Sequence, residues 1–433
     1  MIIRIMNKRF FFFILAIAGL QVQGQKLDQL LNDVEPKVIE WRRDFHANPE
    51  LSSREFETAK KVAAFLEDLG MEVQTGIAHT GVVGILKGGK PGPVVALRAD
   101  MDGLPVTERV DLEFASKVTS TYNGIESGVM HACGHDTHMA MLMGAAVVLS
   151  EMKKDLKGTV KFIFQPAEEG VPPGEEGGAE MMVKEGVLKN PDAEVIFGLH
   201  ISAQTDVGKI NYKPKGTLAA AQRFVIKVKG KQTHGSSPWS GTDPIVISAQ
   251  IINGLQSIIS RDTELTKEAA VISVGLIRGG VRNNIIPEEV EMMGTIRTLD
   301  YDMQKKLNEM MEFRVKSIAE SYGGSAEIVI ERGLPITYND PELTAKMLPS
   351  IEKSAGKENV NLINAITGAE DFAFYQKEIP GFFFFVGGKP LDVKVEDSAS
   401  HHTPDFYIDE SGMKLGTKSL VNLTLDYMGV KAK

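Results

Sequence analysis

Within eight residues the sequence places His131, Cys133, His135, Asp136 and His138, in the run His131-Ala-Cys-Gly-His-Asp-Thr-His138. A thiolate and an imidazole two positions apart in a turn can grip one soft or borderline cation. A second run, Gln165-Pro-Ala-Glu168-Glu169-Gly170, follows directly on a strand-like segment. Adjacent carboxylates in a turn point in different directions, so one can bind metal while the other serves a metal-activated water as general base. Gly198-Leu-His200 and Ser400-His401-His402-Thr403-Pro404 add further imidazoles. Taken singly, a lone cysteine is a small buried hydrophobe and a Glu-Glu pair is solvated surface. Together, Cys133, His135, Glu169, His200 and His402 exceed what a single catalytic zinc takes from protein. Two divalent metal ions sharing Cys133 as a bridging thiolate is the better reading, with Zn, Mn, Co and Ni all open. Two ions can activate one water and polarise a carbonyl, which suits hydrolysis of an unactivated amide.

The elements that would hold these residues are legible as an α/β pattern. Strand-like runs begin at Gly81, Val94, Val160 and Val195, and 137–152 reads as a buried helix. Each strand-like run ends in charged or metal-seeking residues, where open α/β sheets put their chemistry. From about residue 221 to 331 the order becomes strand, helix, strand, strand, helix, strand, which is the ferredoxin-like arrangement. The expected organisation is a leader over 1–24, a catalytic domain in two parts (25–220 and 332–433), and an inserted domain over 221–331. The catalytic part should carry a mixed central sheet flanked by helices, and the insert a smaller α+β sandwich.

Three of these runs, with Arg98-Ala-Asp-Met-Asp102-Gly-Leu-Pro105 and Gly368-Ala-Glu370-Asp371-Phe372, resemble the aminoacylase/carboxypeptidase family of co-catalytic metallopeptidases. The nearest branch is that of N-acyl-amino-acid amidohydrolases, hippurate hydrolases and auxin-amide hydrolases, and Cys133-Gly-His135 is the motif specific to it. The resemblance covers about residues 42–410. It implies that Cys133, His135, Glu169, His200 and His402 bind the metals, that Glu168 is the general base, and that Asp102 orients a ligand from behind. Thr403-Pro404 favours His402 over His401. The resemblance also implies that His234 reaches into a partner subunit's cleft to stabilise the oxyanion, and that Asn284 and Arg297 hold the substrate's carbonyl or carboxylate. A homodimer formed through the inserted lid/dimerisation domain follows. Glu370 and Asp371 are expected in the site wall or framework, and His46 and His79 in structure.

Composition bounds the rest. The chain has 433 residues, one cysteine and a formal charge of −9, so intramolecular disulfides are excluded and nothing advertises nucleic-acid binding. Arg4, Lys8 and Arg9 precede the apolar run 10–20, which reads as a secretory signal cleaved near Gly24-Gln25, giving a periplasmic or extracellular protein without a stable membrane anchor. The expected substrate is a small N-acyl amino acid. A dipeptide or short peptide cut by a metallo-carboxypeptidase is the alternative, and an exported metal-binding protein without turnover is the third.

Overall fold

The computed structural model describes residues 26–430. The chain forms two compact units. One holds the described residues up to Pro214 with Asn339–Ile363 and from Phe374 onward, and the other holds Lys215–Tyr338 and Asn364–Ala373.

The first unit is built on an eight-stranded mixed sheet, ordered Glu72–Ile77, Gly81–Lys87, Lys157–Gln165, Lys90–Asp100, Val195–Asp206, Gly381–Lys389, Ile210–Tyr212 and Val360–Leu362. Its centre is parallel: Lys90–Asp100 pairs in parallel with Lys157–Gln165 and Val195–Asp206, and Gly381–Lys389 with Val195–Asp206. Parallel strands covered on both faces read as continuous apolar runs rather than alternating ones. That explains Val94-Val-Ala-Leu and Phe382-Phe-Phe-Phe, whose side chains are largely buried. Each fully buried Phe or Leu contributes roughly 1.5–3 kcal/mol. Helix His135–Glu151 is enclosed on nearly every side, which is why its sequence lacks a polar stripe. Helix Met413–Tyr427 packs against it and against helix Pro341–Ala355.

His200 does not end its strand, as expected from the sequence, but lies inside Val195–Asp206. The neighbour Lys90–Asp100 stops pairing with this strand at Gly198, while Gly381–Lys389 continues past His200 opposite Phe385. The sheet therefore opens on one side of His200, the crevice where such sheets place ligands.

The second unit has a four-stranded antiparallel sheet ordered Ala270–Gly279, Glu289–Thr298, Ala220–Lys229 and Ser325–Ile330. Helices Pro244–Ser257 and Tyr301–Ser321 supply the apolar side chains that cover one face, including Ile247, Ile251, Leu307 and Met311. Asp243 and Asp300 cap these helices by accepting from backbone N–H groups of the first turn.

The expectation of export is corrected. The leader read over 1–24 lies outside the described residues, and among the described residues no helix is long and apolar enough to cross a membrane. The reading rested on the composition of one short apolar run beside basic residues, and no element among the described residues supports it.

Candidate metal centre

The turn carrying Cys133 is set by Gly134, whose φ of 96° starts helix His135–Glu151. A Cβ there would stand 2.4 Å from Ile201 Cγ2, so only glycine fits between the turn and the His200 strand. This close approach puts Cys133 Sγ 3.3 Å from His200 Nε2. From the other side the loop after Ser400 delivers His402, whose backbone N–H donates to Ala132 O at 2.8 Å. His402 Nε2 lies 3.3 Å from Cys133 Sγ and 2.9 Å from Glu169 Oε1. His135 Nε2 lies 3.9 Å from Glu168 Oε2 and 4.0 Å from Glu169 Oε1. All the expected metal ligands, and Glu168, thus meet in the first unit. Cys133 takes part in one donor group with His200 and His401 and another with Glu169 and His402.

Hydrogen bonds behind the cluster decide which ring nitrogen each imidazole presents. His135 Nδ1 is tied to Asp102, 2.9 Å from its carbonyl and 3.1 Å from Oδ1, which leaves the buried Nε2 without a hydrogen-bond partner. His200 Nδ1 donates to Ile201 O at 2.5 Å, turning Nε2 toward Cys133. His138 is fully engaged, by Asp100 Oδ1 at Nδ1 (2.6 Å) and by the Ile201 N–H at Nε2 (2.8 Å). His401 is engaged too: Nδ1 faces Cys133 O at 3.1 Å and Nε2 accepts from Ala203 N at 3.1 Å. Neither has a nitrogen to spare for a metal, although both lie near the donors. His131 is buried with neither ring nitrogen paired, and burial holds it neutral at about 4.

Charge follows the same layout. Burial opposes protonation of His135, but the carboxylates of Asp100 and Asp102 outweigh it and lift the imidazole to about 10. Burial and the charges of Glu169, Glu168 and Asp100 push the Cys133 thiol well up. Burial, with His138 and His401 nearby, holds His200 well down, so its Nε2 keeps a lone pair, turned to the Cys133 thiol. A buried nitrogen aimed at carboxylates about 4 Å away, beside a thiol that only a cation would ionise, is a donor set that fits divalent ions.

Asp102 is the hub. Oδ1 accepts from Glu168 N at 3.1 Å, and Oδ2 accepts from Glu169 N at 3.0 Å and Ser52 Oγ at 2.7 Å. It orients His135 and fixes the backbone of both glutamates. Asp100, which the sequence reading passed over, is held by Arg98 at 2.6 Å and orients His138. His46, expected to be structural, bridges Asp136 at 2.8 Å and Glu108 at 3.0 Å behind the first turn of the helix. His79, likewise expected in structure, has Nε2 3.0 Å from the Glu176 carbonyl oxygen.

The remaining expected residues belong to the second unit. His234 is exposed, and its Nδ1 accepts from Ser236 N at 3.0 Å and Ser236 Oγ at 2.7 Å, which leaves Nε2 outward. Its strand pairs with Ile285–Ile286, next to Asn284, whose Oδ1 is buried and unpaired. Arg297 is half-buried on Glu289–Thr298, where its guanidinium contacts Thr295 Oγ1 and Ile296 O. The Glu370 carboxylate accepts from Phe372 N at 2.9 Å, a framework contact.

The model of peptidase family M20/M25/M40 matches residues 96–426. Thermostable carboxypeptidase 2 of Saccharolobus solfataricus is 41% identical over 408 residues, covering 93% of this chain and 98% of that protein. N-acetylcysteine deacetylase of Bacillus subtilis is 38% identical, covering 90% of this chain and 96% of that protein. The crystal structure of the Bacillus subtilis YXEP protein, described as a dinuclear metal-binding peptidase, superposes with a TM-score of 0.76 at 35% identity, covering 92% of this chain and 99% of that one.

Proposed function

Because this chain belongs to peptidase family M20/M25/M40, we propose that it hydrolyses the amide bond of N-acyl amino acids with Glu168 as general base. Membership makes it a metal-dependent hydrolase of amide bonds that works with two metal ions. The residues assigned to hold them are Cys133, His135, Glu169, His200 and His402. When bound, such ions lower the pKa of water and polarise the scissile carbonyl. The rest is the work of side chains. Glu168, whose Oε2 stands 3.9 Å from His135 Nε2, takes the proton of the attacking water and returns it to the departing amine. Asp102 keeps the Glu168 and Glu169 amides and His135 in register. The observation that carries the reading is the buried, unpartnered His135 Nε2 facing both glutamates.

Asn284 and Arg297 are assigned to the substrate's carbonyl and carboxylate, for which a guanidinium fork is suited. His234 is assigned to a partner subunit's site, in a homodimer formed through the second unit. Strand Ala270–Gly279 supports that assembly, because it is a long sheet edge with Val271 and Ile277 exposed, and such edges invite pairing. Identity to a carboxypeptidase favours a second reading in which short peptides are cut at the C-terminus.

Glu168→Gln tests the mechanism: turnover of an N-acyl amino acid should fall roughly 10²- to 10⁴-fold with both metals retained. Unchanged turnover with metals bound would sink it. N-acetyl, N-benzoyl and dipeptide substrates, compared on the wild type, separate the two substrate readings. A fully active monomer by light scattering would remove the role given to His234.

A further inference from the structure

The mechanism leaves the buried Glu55 carboxylate without a task. Glu55 is 0% exposed and lies just before helix Phe56–Asp68. From the sequence, Ser52-Ser-Arg-Glu55 has the form of a helix capping box. Glu55 does not cap this helix, however, because Glu50 does: its carboxylate accepts from Glu57 N at 3.2 Å and Thr58 N at 2.8 Å. Glu55 points inward instead. Oε1 accepts from Ala167 N at 2.9 Å and Oε2 from Thr80 Oγ1 at 2.6 Å.

Ala167 is the residue that needs holding. Its φ is 53°, a left-handed conformation that costs a residue with a Cβ about 1–2 kcal/mol, and it immediately precedes Glu168. Asp102 grips the next amides along, those of Glu168 and Glu169. Three successive N–H groups are therefore bound by two buried carboxylates. Burial and the charge of Asp102 push the Glu55 carboxyl up to about 7, so the fold keeps this group at a cost. Nearby, Ser52 donates to Asp102, and Arg54 pairs with Glu175 at 2.6 Å.

We propose that Glu55 is a positioning residue for catalysis: by holding the Ala167 amide it locks the strained turn that aims the Glu168 carboxylate. The proposal rests on the reading of Glu168 as base, and the test separates the two. Glu55→Asp keeps a carboxylate but retracts it by one methylene, so it should lose Ala167. Glu55→Gln keeps Oε1 for Ala167 and offers its amide to Thr80, so it should retain the grip. In Glu55→Asp we expect kcat to fall at least about tenfold with KM within about twofold. Both metals should remain bound by elemental analysis, and hydrogen exchange at the amides of 167–169 should quicken about tenfold while strand Lys157–Gln165 stays protected. Glu55→Gln should stay within about threefold of wild type on each measure.

Exchange at 167–169 that is unchanged in Glu55→Asp would overturn the proposal, as would faster exchange with unchanged kcat, loss of metal in step with kcat, or a Glu55→Gln variant as impaired as Glu55→Asp. If instead Glu168→Gln keeps full turnover, the assignment of the base fails, and the exchange measurement still reports whether Glu55 holds the turn.

Discussion

Asp102→Asn removes one oxygen and one charge from the centre of the site without changing its size. The carboxylate accepts from four donors: His135 Nδ1 and Glu168 N at Oδ1, Glu169 N and Ser52 Oγ at Oδ2. An asparagine must turn its NH2 toward one of these pairs. Ser52 can rotate to accept, whereas a backbone N–H cannot, so the less costly orientation puts NH2 on the Oδ2 side and strands the Glu169 amide. A buried N–H left unpaired costs about 1–3 kcal/mol. Replacing a charge-assisted bond to His135 by a neutral one costs about 1 kcal/mol more. The sum, about 2–4 kcal/mol, corresponds to a factor of roughly 30–1,000 at 1.4 kcal/mol per tenfold. It falls on two proposed ligands, His135 and Glu169, so weakened metal affinity is the expected outcome, consistent with the 10- to 100-fold typical of lost orienting partners. Competition against a chromophoric chelator measures it directly. Affinity within about twofold of wild type would refute the argument that this carboxylate fixes the donors.

His402→Ala should bind about one metal fewer per chain by elemental analysis, while His401→Ala should keep the stoichiometry and lose about 1–3 kcal/mol of stability as Ala203 N is left unpaired. Equal metal loss in both would show that the sequence and hydrogen-bond arguments chose the wrong histidine. Glu55 makes a prediction about pH in chelator-treated protein. An acid whose folded pKa lies above its unfolded one binds more protons when folded, so its contribution is most favourable below about 4.5 and erodes as pH rises to about 7. Over that window wild type should lose roughly 3 kcal/mol relative to Glu55→Gln in denaturant melts. Parallel stability curves would show that Glu55 is not buried as described.

What the sequence made legible was local. Cys133 and His135 are contiguous with the glycine whose φ of 96° forms their turn, so spacing alone carried the chemistry. The apolar runs of the parallel strands marked the sheet because burial on both faces erases alternation. Properties that depend on distant partners stayed hidden. His138 and His401 look like ligands in one dimension, and only the amides of Ile201 and Ala203, brought in by the sheet, occupy their nitrogens. Glu55 drew no notice, since a single glutamate ahead of a helix carries no local sign of the Ala167 amide and Thr80 hydroxyl that it binds. His200 looked like a strand end because its imidazole closes the apolar run Val195-Ile-Phe-Gly-Leu, whereas it is the neighbouring strand that stops.

Charge explains why the site is arranged around its imidazoles. Asp100 and Asp102 are buried within reach of His135, and Glu168 and Glu169 lie close by. Anions gathered in a low-dielectric interior need a cation. In the protein alone the Arg98 guanidinium serves Asp100, and a proton on His135, stabilised to about 10, serves the rest, while burial and the charges of Glu169, Glu168 and Asp100 push the Cys133 thiol well up. A divalent ion held by His135 and Cys133 would favour the opposite states, a neutral imidazole and an ionised thiol. The carboxylates that favour a proton on His135 would equally favour a stronger cation at the same nitrogen, so that metal uptake would be an exchange of charge rather than an addition of it.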